Sequence, residues 1–193
     1  MIFRQKRKPA FIHINKTGGT SIVGALGIGP KVHLTAIELK ALMGDDWQES
    51  FKFAIVRNPW DKVLSHYTYR VKTGRTGIDG DRIPFSDWVA RAYGDKDPRY
   101  YDNPKMFLPQ SEWIKDESGK IVTDFIGRFE RLKQDFREIS RHVRRKKKLP
   151  HANRTDHRHY SSYYDEASMR IVENWFQEDI QRFGYYFEER EGA

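Results

Sequence analysis

The stretch FIHINKTGGTSIVGAL, Phe11 to Leu26, changes character twice along its length. An apolar run ending at Ile14 gives way to a polar turn with two glycines, and then to apolar residues at helical spacing from Ser21 to Leu26, a pattern that reads as strand, loop and helix. Gly18 and Gly19 let the backbone curl so that successive amides point inward, and the positive end of the following helix faces the same space. Lys16 adds a full charge, and Thr17, Thr20 and Ser21 add hydroxyl donors. A tight turn with an N-cap needs neither the lysine nor so many hydroxyls, so the loop reads as an anion cradle. A Walker-type loop sets its lysine after the second glycine and directly before the hydroxyl that holds magnesium. Here Lys16 precedes both glycines, so the loop suits a phosphate-like oxyanion but not a magnesium nucleotide.

The same punctuation recurs downstream. FKFAIV, Phe51 to Val56, is rich in aromatic and β-branched residues and reads as a second strand. Asn58 can then cap, Pro59 fits the first helical position, and Trp60, Val63, Leu64, Tyr67 and Val71 recur at helical spacing. Between the two units, Leu34 to Met43 carries a capping-box pattern, Thr35 with Glu38, and reads as a short helix. IVTDFIGRF, Ile121 to Phe129, reads as a third strand in which Gly127 marks a close backbone approach or a bulge. Helices are expected over Phe85 to Tyr93, Leu132 to Val143 and Asp165 to Phe183, the last closed by Gly184. The segments from Thr73 to Pro84 and from Gly94 to Pro109 read as loops, the second a candidate for acceptor recognition. Strands alternating with helices predict an α/β fold, a three-layer sandwich with a central, mainly parallel sheet, in one domain spanning 1–193. In such sheets ligands sit beyond the C-terminal ends of the strands, where the loops after Ile14 and Val56 both fall.

With 38% apolar and 32% charged residues the chain is of globular type. It contains no cysteine, which excludes disulfides, thiolate metal sites and a thiol nucleophile. Its basic N-terminus leads into an apolar run too short for a signal peptide or a membrane span, so a cytoplasmic protein without a transmembrane segment is expected. The net charge is +8, to which the run Arg144 to Lys148 contributes heavily. That run is read either as a solvated helix end or as an anion-facing rim. No aromatic residues interleave it between Arg141 and Pro150, which speaks against nucleic acid as a partner.

HINKTGGTS closely resembles the HIPKTGGTS signature of the carbohydrate sulfotransferases, the family of the heparan-sulfate 2-O- and chondroitin enzymes, with Asn15 standing where proline is usual. FAIVRNPWDKVLSHY resembles that family's second signature. Weaker likenesses lie at Gln110, at DFIGRFERL (Asp124 to Leu132), at LPHANRT and at DIQRFGYYF (Asp179 to Phe187). The resemblance implies a P-loop-type fold and 3′-phosphoadenosine 5′-phosphosulfate (PAPS) as co-substrate. It implies that the first loop binds the 5′-phosphosulfate, and that Arg57 and Ser65 hold the 3′-phosphate. Lys16 is then assigned to the bridging and leaving oxygens, the amides of Thr17, Gly18, Gly19 and Thr20 to the 5′-phosphate, and the hydroxyls of Thr20 and Ser21 to the same group.

The family also places a catalytic histidine near the position of His33, which is therefore the candidate general base, a role an unperturbed imidazole suits. His13, inside the first strand, is read as packing against or orienting the cradle; Glu49 and Asp61 are weaker candidates for the base. His151, Asn153 and Arg154 could face cofactor or acceptor, and the pair His157 and His159 lacks a matching ligand set, so no metal is assigned. The absence of cysteine and of a membrane anchor points to a soluble, bacterial-type relative. Its acceptor is expected to be a hydroxylated molecule, either a glycan, which could be anionic, or a small metabolite. Two other functions compete: a nucleotide-dependent phosphotransferase with an altered loop, and a non-catalytic polyanion-binding module, which would bind with strong salt dependence.

Overall fold

A computed structural model describes residues 8–28, 32–75, 83–145, 149 and 158–189. His151, Asn153, Arg154, His157 and the lysines of the basic run lie outside the described residues. The chain divides into two compact units, one comprising 1–57 and 110–154, the other 58–109 and 155–193.

The first unit holds the sheet. Strands β1 (Pro9–Ile12), β2 (Phe51–Val56) and β3 (Phe125–Arg128) run parallel in that order, with Phe11 opposite Phe53 and Phe53 opposite Phe125. Phe11, Phe53 and Ile55 are buried together with Ile22, Val23 and Leu26 of helix α1 (Gly19–Leu26) and Leu132, Phe136 and Ile139 of helix α7 (Leu132–His142). Residues alternate across a strand, so Ala10, Ile12, Ala54 and Val56 face the other way; they too are buried. The sheet is therefore covered on both faces, as a parallel sheet requires. The predicted α/β class, with a central parallel sheet, is what the chain adopts.

Helix α2 (Ala36–Met43) begins with the expected capping box: the Glu38 amide donates to the Thr35 hydroxyl, and the Glu38 carboxylate accepts from the Thr35 amide. Two short helices escaped the sequence reading, α3 (Asp46–Glu49) and α6 (Gln110–Trp113), each too brief to show a period. The third strand is shorter than expected. Ile121 forms only an isolated antiparallel bridge with Lys115, the Val122 amide donates to the Ile114 carbonyl, and pairing with β2 is established only from Asp124 onward. Gly127 is a close approach: a Cβ there would lie 2.7 Å from the Ile55 side chain.

The second unit is helical. Its core is aromatic, with Trp60, Tyr67, Trp88, Tyr93, Phe107 and Phe176 buried against one another. Helix α4 (Pro59–Lys72) starts as predicted, the Trp60 amide donating to the Asn58 side chain ahead of Pro59. Helix α5 (Phe85–Val89) continues as a π-helical turn over Ala90–Gly94. The long final helix of the sequence reading is two helices, α8 (Glu166–Trp175) and α9 (Gln177–Phe183). The break falls at Phe176, whose ring is fully buried in the aromatic core, while the neighbouring Trp175 indole donates to the Phe107 carbonyl.

Candidate functional site

The C-terminal ends of the three strands bring the predicted cradle together within the first unit. After β1 the chain leaves the ladder at His13 and turns through Lys16, which has φ +65°, and Gly18, with φ +78°. A left-handed φ is rare for a residue with a side chain and marks a backbone held by its surroundings. Left-handed residues alternating with others aim successive amides into one concavity. Gly18 N-caps α1 and, as a glycine, brings no side-chain acceptor of its own to the positive end of that helix. Thr17 differs from expectation in one respect: its hydroxyl donates to the Ile14 carbonyl at 2.9 Å, so it braces the turn and only its amide remains for a ligand. The side chains of Thr20 and Ser21 are less enclosed, Thr20 exposed and Ser21 half-buried.

Arg57 follows β2 and is no surface residue, being 6% exposed. Its guanidinium donates from Nη1 to the Lys16 carbonyl at 3.0 Å and lies 4.1 Å from the centre of the Phe129 ring, just past β3. Phe129 and Leu132 also wall the loop, since a Cβ on Gly18 would meet them at 3.0 to 3.1 Å. Burial, and secondarily the neighbouring Arg57 charge, lower the Lys16 pKa to about 8. Lys16 and Arg57 thus bring two positive charges to the same loop, an arrangement suited to an anion.

The backbone of Arg57 is itself gripped. Its amide donates to Gln110 Oε1 and its carbonyl accepts from Gln110 Nε2, each at 2.8 Å, and the glutamine is fully buried. No periodicity or spacing identifies a glutamine so far along the chain as the clasp of an arginine.

His33, in the segment before α2, is drawn to the same end of β1. Its Nδ1 lies 2.8 Å from the His13 carbonyl, its ring sits 4.2 Å from the His13 ring, and Trp113 meets it edge-on at 6.4 Å. A carbonyl only accepts, so Nδ1 carries the proton in this contact. Lys16, Arg57 and His33 therefore belong to one unit. Ser65 lies half-buried on α4 in the other, where its carbonyl accepts from the Thr68 hydroxyl.

Glu49 is exposed at the end of α3, before β2 begins, hence at the opposite edge of the sheet. A cavity of about 450 Å3 opens at that edge, where Trp47, Lys52, Lys120 and Asp124 mix both charges. Asp61 lies in the first turn of α4, where it faces the helix dipole as expected. Arg145, from the basic run, donates to the Leu26 and Gly27 carbonyls and so closes the C-terminus of α1.

A family model described as "Sulfotransferase family" matches residues 31–186, a span that starts after the glycine loop and runs through both units. Among solved structures, the crystal structure of a sulfotransferase from Alicyclobacillus acidocaldarius aligns with 91% of this chain and 94% of its own, with a TM-score of 0.52 and 12% identity. At that identity the likeness is one of fold, and the fold is P-loop-like. No curated protein sequence matches the chain. Among the described residues, no helix is long and apolar enough to cross a membrane.

Proposed function

The chain belongs to the sulfotransferase family, and on that premise we propose that it transfers the sulfuryl group of PAPS to the hydroxyl of a carbohydrate by in-line displacement. The observation that carries this reading is the contact between Arg57 and the Lys16 carbonyl, which joins the two motifs into one cationic cradle. Residues 1–193 act as a single catalytic domain, a view supported by a family match that runs through both units.

In sulfuryl transfer, negative charge spreads over the moving group and builds on the leaving phosphate, as in phosphoryl transfer. The protein's contribution is positioning and electrostatic stabilisation. Lys16 meets the bridging and leaving oxygens. The amides of Thr17, Gly18, Gly19 and Thr20 and the hydroxyls of Thr20 and Ser21 hold the 5′-phosphate. Arg57 supplies a planar fork for the 3′-phosphate, with Ser65 as its second ligand. His33 takes the proton from the acceptor hydroxyl at Nε2 as the oxygen attacks sulfur. The acceptor site draws on the loop from Gly94 to Pro109, and the protein works as a soluble, cytoplasmic enzyme.

The deciding experiment is calorimetric titration, without magnesium, of adenosine 3′,5′-bisphosphate beside AMP and ATP. Preference for the bisphosphate, lost in Arg57→Ala, is expected. Equal affinity for all three nucleotides would remove PAPS as the co-substrate.

A further inference from the structure

Phe129 follows β3 directly and opens a short 3-10 turn, Phe129–Arg131. It is half-buried and packs against the apolar cluster that holds Leu26, Leu132 and Phe136. Two parts of its ring meet the cradle. The edge atoms Cδ2 and Cε2 lie 3.1 Å from where a Cβ on Gly18 would stand. The guanidinium carbon of Arg57 lies over the ring, 4.1 Å from its centre. A cation within about 6 Å of a ring centre is drawn to the negative face of the ring, so this contact is a close one. One side chain therefore touches both the glycine turn and the arginine that follows β2.

An aromatic ring suits that place better than a carboxylate. A carboxylate would also hold the guanidinium, but it would cancel the charge and take up the planar fork of N–H groups. A phenyl ring carries neither charge nor lone pair, so it restrains the arginine without competing for what an anion needs. Gln110 fixes the Arg57 main chain, and the Lys16 carbonyl accepts from Nη1. The ring restrains the head of the same side chain over its face. We propose that Phe129 is a positioning residue, whose ring holds the Arg57 guanidinium beside the Gly18 turn and so sets the anion-binding head before a ligand arrives. The inference rests on Arg57 as the ligand of the 3′-phosphate. It adds a specificity element, because apparent affinity falls with the fraction of molecules whose binding group is in place. A loosened Arg57 should cost the bisphosphate its advantage over AMP, which has no 3′-phosphate, and leave the loop's hold on the 5′-phosphate.

The test is calorimetry of the full chain with adenosine 3′,5′-bisphosphate and with AMP, beside nitrogen NMR of the Arg57 side chain, assigned by the signal that vanishes in Arg57→Lys. Phe129→Leu keeps an apolar wall beside Gly18 but has no ring face. It should weaken bisphosphate binding about tenfold, leave AMP binding nearly unchanged, and return the ring-shifted Arg57 signal to the ordinary arginine position. Phe129→Tyr, which keeps the ring, should bind like wild type. Successive fluorination of the phenylalanine at position 129 keeps its shape but drains negative potential from its face, so bisphosphate affinity should fall stepwise along the series; packing alone gives no such trend. A flat series, or wild-type affinity and Arg57 signal in a folded Phe129→Leu, would overturn the proposal. Failure of the premise looks different: a wild type without preference for the bisphosphate removes the 3′-phosphate role, and the Arg57 signal in Phe129→Leu then decides alone whether the ring positions the guanidinium.

Discussion

Gln110 holds Arg57 by both backbone groups at once, accepting from its amide and donating to its carbonyl at 2.8 Å each. A primary amide thus does for one residue what a neighbouring strand would do. It does so just where β2 ends, at a buried residue whose amide and carbonyl both need hydrogen-bond partners. Because Arg57 reaches the Lys16 carbonyl from this fixed backbone, the clasp sets the position of the guanidinium.

Gln110→Ala should therefore act on both stability and binding. An orphaned buried backbone group costs about 1–3 kcal/mol, so the variant should lose roughly 2 kcal/mol or more in denaturant unfolding. Its affinity for adenosine 3′,5′-bisphosphate should fall toward that of Arg57→Ala. Wild-type stability together with wild-type affinity would show that the clasp contributes to neither.

Lys16 couples ligand binding to pH. With its pKa lowered to about 8 by burial and Arg57, the free protein holds this lysine charged below that value and increasingly neutral above it. A bound phosphate favours the charged form, so binding above pH 8 must take up a proton. Affinity should stay level between pH 7 and 7.5 and then fall, approaching tenfold per unit at higher pH. Calorimetry in buffers of different ionisation heat counts the proton, and Lys16→Met should abolish both the uptake and the slope. A slope that survives in Lys16→Met belongs to another group.

Lys16 and Arg57, though in contact, should fail differently on truncation. Lys16 meets charge that develops only as the sulfur–oxygen bond breaks, so Lys16→Ala should lower kcat by about 10²–10³ with a smaller change in the KM for PAPS, in which that charge is not yet present. Arg57→Ala removes a ground-state contact and should chiefly raise the KM for PAPS. Single-turnover rates at saturating PAPS separate the two, and equal rates in Lys16→Ala and wild type would sink the role given to the lysine.

Much of this arrangement is legible from local chemistry. The capping box at Thr35, the Asn58–Pro59 helix start, the left-handed Gly184 and the close approach at Gly127 each follow from what a residue type can do on its own backbone. What escapes is set by distant partners. The third strand shortens because Ile121 and Val122 find partners in the segment after α6. The last helix breaks where Phe176 meets an aromatic core assembled from separate elements. In the cradle, the lysine and glycines announce themselves, whereas the engagement of the Thr17 hydroxyl by Ile14 and the grip of Gln110 on Arg57 depend on geometry no spacing encodes.

The two glycines of α1 should respond in opposite directions to the same change. Gly19 opens the helix and Gly24 lies within it. A Cβ on Gly24 meets nothing within 4 Å, so Gly24→Ala removes only the backbone freedom that glycine retains when unfolded. It should stabilise the protein by about 0.5–1 kcal/mol. A Cβ on Gly19 would overlap the His13 ring at 2.2 Å, and that ring, held by Phe11 and His33, has little room to withdraw. Gly19→Ala should therefore lower the melting temperature and, by displacing His13, slow transfer as well. Thermal melts of the two variants with turnover measured beside them check both signs. If Gly19→Ala melted and turned over like wild type, the ring would be able to leave the loop freely, and the close packing of His13 would have no hold on the cradle.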